Sequence, residues 1–277
     1  MSPFLASLPS PPSPIIFEVG PFALRYYGLF IAIGIAVATW IAGRELVRRG
    51  YDETLAIDSL LVIVPLGFVG ARIYHVVTNW SFYGDDPFPS IFAVWEGGLG
   101  IYGGVTAGFI GVLIFSWWRG INPLVLADAA APGVILGQAI GRWGNYFNQE
   151  LFGRPSDLPW AIRIASENRP IGFEDAETFH PTFLYESIWN LLVCLVLLWV
   201  ARRFAASLKA GDIVLLYVSL YSLGRSFTEL LRIDPAFIIS GVARGNLFVA
   251  VILALVFALA LFLRHSRTTG RRTGGDK

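Results

Sequence analysis

A single cysteine, Cys194, stands in 277 residues, so no internal disulfide can form. It lies within Leu-Leu-Val-Cys-Leu-Val, where it reads as a small apolar packing residue. Charge is scarce too. Asp, Glu, Lys and Arg make up 15% of the chain, against about a quarter in an ordinary soluble domain. With 55% hydrophobic residues and a mean hydropathy of +0.61, a water-soluble globule is excluded. A formal net charge of +1 gives no footprint for nucleic acid, and none is expected as a partner. There is no alternating β-barrel pattern, no repeat of about 20–50 residues and no Gly/Ser linker between domains. No His/Cys/carboxylate cluster has metal-ligand spacing, so neither metal nor cofactor is expected.

What the chain does have is seven apolar stretches near the length of roughly 20 residues that a membrane-crossing helix needs: 22–42, 57–77, 99–117, 124–142, 183–201, 212–231 and 246–264. The fourth is the weakest, being rich in Ala and Gly and running into a polar motif. The pattern predicts an all-α integral membrane protein with seven transmembrane helices. Arg44, Arg48 and Arg49 follow the first stretch, Arg119 the third, and Arg202, Arg203 and Lys209 the fifth. Arg264, Arg267, Arg271, Arg272 and Lys277 follow the seventh. Between the second and third there is no Lys or Arg, only Asp85, Asp86 and Glu96. The positive-inside rule then predicts an outside N-terminus and a cytoplasmic C-terminus. The expected organisation is one bundle over 1–264, with an external head or lid at about 143–182, and a basic cytoplasmic tail over 265–277 suited to anionic lipid headgroups. The start is not expected to be a cleaved signal peptide, because no charged region precedes the first apolar run and no A-x-A site ends it. Pro9, Pro11, Pro12 and Pro14 predict an irregular segment there.

Glycines divide into two groups. Gly133, Gly137 and Gly141, and Gly104 with Gly108, form G-x-x-x-G units; close helix packing accounts for Gly133 and Gly137. The run Gly97-Gly98-Leu99-Gly100-Ile101-Tyr102-Gly103-Gly104 would weaken a helix by about 1 kcal/mol per glycine relative to Ala. It predicts non-helical backbone near the membrane surface, lining a cavity.

Charges inside apolar spans are costly, about 2.5–3.5 kcal/mol for an Arg at a helix centre. Arg25, Arg72, Arg142, Arg225 and Glu229 are therefore candidates for function. Snorkelling or structural pairing accounts equally well for Arg25 and Arg72. In 212–231, Tyr221, Arg225 and Glu229 fall at i, i+4 and i+8, with Arg232 next, on one helix face; Arg225 and Glu229 can also simply neutralise each other. The strongest signal is Gly141-Arg142-Trp143-Gly144-Asn145-Tyr146-Phe147-Asn148-Gln149-Glu150-Leu151-Phe152-Gly153. If helical, it aligns Arg142, Asn145 and Gln149. Two guanidiniums, Arg142 and Arg225, near the outer leaflet make an anion site within reach of lipid.

That thirteen-residue motif resembles the signature of prolipoprotein diacylglyceryl transferases, Gly-Arg-x-Gly-Asn-Phe-x-Asn-x-Glu-x-x-Gly, with Tyr146 in place of Phe. Four further landmarks follow the family's order over nearly the whole chain: Arg25-Tyr26-Tyr27-Gly28-Leu29, Trp95-Glu96-Gly97-Gly98, His180-Pro181-Thr182-Phe183-Leu184-Tyr185-Glu186, and Tyr221 to Arg232. The resemblance implies a multi-pass enzyme of the bacterial cytoplasmic (inner) membrane. It would move the diacylglyceryl group of phosphatidylglycerol onto the lipobox cysteine of a prolipoprotein signal peptide, forming a thioether and releasing glycerol 1-phosphate. It implies an active-site set of Tyr27, Arg142, Asn145, Glu150, Gly153, Tyr221, Arg225 and Glu229, with Arg232 as a further substrate contact. Arg142 and Arg225 suit the phosphate, whose negative charge builds as it departs. Many family members carry His-Gly-Gly, with that His a proposed base, where this chain has Tyr102-Gly103-Gly104. Tyr102 is then phenolate-like, or orients substrate, or leaves the proton to another group such as Glu150; the base stays unassigned. For His180 a structural role in its loop is expected, and His75 is no stronger a candidate. Composition and periodicity alone also fit a transporter, or a transferase using phosphatidylglycerol with a non-protein acceptor.

Overall fold

The computed structural model describes residues 7–20, 22–83, 90–94, 97–233, 238–239 and 243–269. Asp85, Asp86, the Trp95-Glu96 pair of the quoted landmark and the tail beyond Thr269 lie outside the described residues. Among those described, seven long helices follow one another: α1 Tyr26–Arg48, α2 Thr54–Thr78, α3 Ile101–Arg119, α4 Pro123–Asn148, α5 Thr182–Arg203, α6 Asp212–Leu231 and α7 Gly245–Thr269. Each covers one predicted stretch. The first begins later than its apolar run, because Phe22–Arg25 forms a strand, β2, paired antiparallel with β1, Ile15–Val19. Two further short strand pairs are present: β3 Ile162–Arg163 with β4 Thr178–Phe179, and β5 Ile238–Ile239 with β6 Ala243–Arg244.

Six of the helices are long and apolar enough to cross a membrane, which makes the chain a multi-pass membrane protein. The Ala- and Gly-rich α4 is one of them. The exception is α6, whose sequence spends positions on Asp212, Arg225, Glu229 and three serines. The sides of these helices carry large exposed apolar residues such as Ile57, Leu61, Phe109, Trp117, Leu255 and Phe262. That outward apolar surface is stable only in lipid. In α7 just 6% of the span is buried against protein.

The described residues form two compact units, 1–38 with 131–277 and 39–130. In the first, α1 meets α4 through small residues: a Cβ on Gly137 would come within 2.9 Å of the Gly34 carbonyl oxygen, and one on Gly133 within 2.9 Å of the Ala38 Cα. The close-packing expectation for both glycines holds. A buried cluster of Ala131, Ile135, Val193, Cys194, Leu197, Ala201 and Ile213 joins α4, α5 and α6, and accounts for Cys194 as packing. At the same end of α6, Asp212 is buried with Arg264 Nε at 3.2 Å and His265 Nε2 at 2.9 Å. Both partners lie at or just past the predicted span end, in a helix that runs on to Thr269.

Segment 149–181 has a small core of its own, with Phe152, Ile162, Ile164 and Phe179 buried against Phe183. Leu8 bridges to Ile162 and Pro155 to Phe179. The proline-rich start is irregular, as expected, apart from that bridge.

In the second unit, α2 packs on α3, around a cluster that includes Leu46, Leu55, Phe115 and Leu126. Gly97 and Gly98 adopt φ of +94° and +79° and the backbone is non-helical through Gly100. From Ile101 on, however, the chain is helical. Gly103 owes its glycine to the close approach of Gly70, not to a loop. The non-helical reading of the run therefore holds for its first half only.

Candidate active site

The polar residues of the first unit converge on one carboxylate. Glu186 sits in the first turns of α5, buried to 6% exposure. Its Oε2 pairs with Arg142 Nη2 from the last turns of α4. Its Oε1 lies 3.1 Å from Arg225 Nη1 of α6 and 3.9 Å from Arg232 Nη1, just past the end of α6. Arg225 reaches Glu229 with its other terminal nitrogen at 2.6 Å, and Glu229 accepts from Asn246 Nδ2 of α7 at 3.3 Å. Arg225 thus pairs with Glu229, and also with a second carboxylate that the helix periodicity could not reveal. Bringing three guanidiniums together inside apolar surroundings requires anions between them, because their mutual repulsion is little screened there.

The signature motif forms the second part of the site. Helix α4 continues through it to Asn148, so Arg142 and Asn145 share a face, with Arg142 Nη1 donating to Asn145 Oδ1 at 3.4 Å. The expected third member departs: Gln149 has φ of +50° and Leu151 +57°, a left-handed break that ends the helix. Gln149 Oε1 instead accepts the Ala165 N–H at 2.7 Å. The break folds Glu150 back, so that Asn145 Nδ2 donates to Glu150 Oε1 at 2.8 Å and Asn148 Nδ2 at 3.2 Å. Gly153 is buried where a Cβ would meet His180 Cβ at 2.8 Å and the Leu231 carbonyl at 3.0 Å. Its N–H bonds the His180 carbonyl at 2.9 Å, and it bridges to Arg232. Its glycine is explained by that crowding.

Tyr27, in the first turn of α1, packs on Gly144, where a Cβ would come 3.1 Å from the Tyr27 Cα. It lies within electrostatic reach of Glu150 and Arg142. Tyr221 joins Glu186, Trp189, Asn190, Gly224 and Arg225 around a small cavity. Arg142, Asn145, Glu150, Tyr27, Tyr221, Arg225, Glu229 and Arg232 are therefore neighbours in one unit. Tyr102 belongs to the other unit, on the first turn of α3, with its ring 5.9 Å from that of Tyr74.

Sequence reasoning missed Glu186, Asn190 and Asn246 as site residues. Glu186 ends one of the quoted landmarks, but at the start of a span it looks like an ordinary helix-terminal acid. Arg72 has a structural role. Its guanidinium donates to the carbonyls of Ser90, Ile91, Gly97 and Gly98 at 2.8, 2.8, 2.6 and 2.9 Å, holding the glycine turn in place. Arg25 is exposed at the junction of β2 and α1. His75 lies 3.4 Å from Asn79 Nδ2 at the end of α2. His180 Nδ1 lies 3.2 Å from the Tyr185 hydroxyl, and burial, then the Arg154 charge, pulls its pKa below the usual value.

A family model described as prolipoprotein diacylglyceryl transferase matches residues 14–263. Among similar proteins is a phosphatidylglycerol–prolipoprotein diacylglyceryl transferase of Rhodococcus jostii, 44% identical over 282 residues, covering 96% of this chain and 76% of that one. The enzyme numbered 2 of that name in Streptomyces coelicolor is 45% identical over 245 residues, 87% of this chain and 76% of its own. A Leifsonia xyli relative of the same name is 42% identical over 288 residues, covering 99% and 85%.

Proposed function

Because the chain belongs to the prolipoprotein diacylglyceryl transferase family, we propose that it transfers the diacylglyceryl group of phosphatidylglycerol to the lipobox cysteine of prolipoprotein signal peptides, in the bacterial inner membrane. The observation that carries this reading is the convergence of Arg142 and Arg225, from two helices, on the two oxygens of one carboxylate. Two guanidiniums spaced for the oxygens of a carboxylate are also spaced for two oxygens of a phosphate.

The thiol sulfur attacks the carbon of the diacylglyceryl group that bears the phosphate. A C–S bond forms, the C–O bond breaks, and its electron pair goes to the phosphate oxygen. The thiol proton ends on the departing glycerol 1-phosphate, so charge balances without a cofactor. Arg142 and Arg225 hold the phosphate and stabilise the charge that grows on it. Arg232 adds to the positive field from one side. Asn145, tied to Glu150, fixes the Arg142 end, while Glu229 fixes Arg225. Tyr27 and Tyr221 border the two ends of this polar region and orient the substrate. Gly153 lets the loop close against α6. The base stays unassigned; Glu150, tied to Asn145, is the candidate within this unit.

In this reading all seven helices span the membrane, α6 included, since its charged stripe faces other helices and not lipid. The N-terminus is outside, segment 149–181 is an external head, and the basic tail is cytoplasmic. The test is a transfer assay with purified protein, phosphatidylglycerol and a lipobox peptide carrying Cys or Ser. Cys-dependent release of glycerol 1-phosphate, with the matching mass gain on the peptide, is expected. Arg142→Ala should insert and fold but lose about 100-fold or more in rate. Near-normal turnover by that variant would remove the phosphate clamp.

A further inference from the structure

Glu186 stands where the phosphate is to bind, and the protein needs a way to clear it. We propose that Glu186 is a switching internal counter-ion: it occupies the anion position between Arg142 and Arg225 while the site is empty, and withdraws towards Asn190 when the phospholipid phosphate takes its place. This rests on the phosphate-clamp reading of the two arginines and adds to it a residue with a role in entry and release.

Two independent observations carry it. The first is occupancy. One carboxylate already contacts both guanidiniums, so a second anion cannot take the same donors without displacing it. The second is a vacant place to go. Asn190 lies one helical turn along α5 from Glu186 and lines the same cavity. It is buried to 2% exposure, and its Nδ2 has no hydrogen-bond partner among the described residues. A buried donor left unpaired is costly, and a carboxylate rotating into the cavity would satisfy it. Residues at i and i+4 share a helix face, so a change of the Glu186 side-chain rotamer suffices. Glu186 is thereby offered two sets of donors, the arginines in one position and Asn190 in the other. After transfer, the returning carboxylate competes with the phosphate monoester for the arginines and favours its release.

The switch makes opposite predictions for two substitutions on one helix. Glycerol 1-phosphate would be titrated calorimetrically into detergent-solubilised wild type, Glu186→Gln, Glu186→Asp and Asn190→Leu, each checked by thermal melting. Removing the internal anion should tighten binding about tenfold or more in Glu186→Gln, and in the transfer assay make the product a correspondingly stronger inhibitor. Removing the resting place should weaken binding by a similar factor in Asn190→Leu. Glu186→Asp, which keeps the charge but sets it one methylene back from the guanidiniums, should tighten binding less than Glu186→Gln does. If folded Glu186→Gln binds no more tightly, or Asn190→Leu binds as wild type does, the switch is wrong and Glu186 is a fixed structural ion. If the binding pattern appears but the wild type transfers nothing to the peptide, the switch stands and the transferase reading fails.

Discussion

Arg225 divides its terminal nitrogens between Glu186 and Glu229, and only a planar fork can do so. A lysine there would supply the charge at a single point, with no second terminal nitrogen to span the two carboxylates. Arg225→Lys should therefore keep less than about a tenth of the wild-type rate while still inserting, as read by glycerol 1-phosphate release. Recovery of full activity would mean that charge alone is needed. Arg142 and Arg225 were legible in the sequence because a guanidinium inside an apolar run has to be accounted for. Glu186 was not, because its partners lie 44 and 39 positions away, and no local periodicity links residues on three helices. Asn190 was hidden for a related reason: an amide in an apolar helix draws attention only when its neighbours prove unable to bond it.

Helices were legible as elements because an apolar stretch of spanning length has few alternatives, and the predicted bounds of α6 coincide with those found. Glycine-rich backbone was legible only in part. Glycine serves both loops and close helix contacts, and the sequence does not say which of Gly97 or Gly103 does which. The fold of segment 149–181 was not readable, since its core is assembled from aromatics scattered among prolines. That element carries a testable polar chain. Trp160 Nε1 donates to the Tyr185 hydroxyl at 3.0 Å, which in turn can donate to His180 Nδ1 at 3.2 Å. The chain needs a neutral imidazole, and the lowered His180 pKa means that protonation is resisted in the fold. As pH falls through the unfolded value of about 6.5, the unfolded chain gains a proton that the folded one does not, so stability drops, and it levels off below the folded pKa. Thermal melting from pH 8 to pH 5 should show this loss. His180→Gln, which does not titrate, should have a shallower slope, and equal slopes would show that this histidine does not matter.

At the scale of the whole molecule, the orientation proposed above rests on the distribution of basic residues and can be read by labelling. In a Cys194→Ser background, Ile171→Cys at a 95% exposed position of the head should react with a membrane-impermeant maleimide added outside intact cells. Ser207→Cys, between α5 and α6, should react only after permeabilisation. The reverse pattern would invert the topology. Such labelling is practical because the chain has one thiol, and that thiol is sealed at 2% exposure among α4, α5 and α6. The same seclusion bears on the chemistry. A catalyst that alkylates sulfur is at risk of alkylating itself, and each self-inflicted adduct would anchor a pair of acyl chains on its own surface. By holding its only sulfhydryl inside a close-packed helix core, this protein offers its activated lipid no acceptor but the one that arrives from outside.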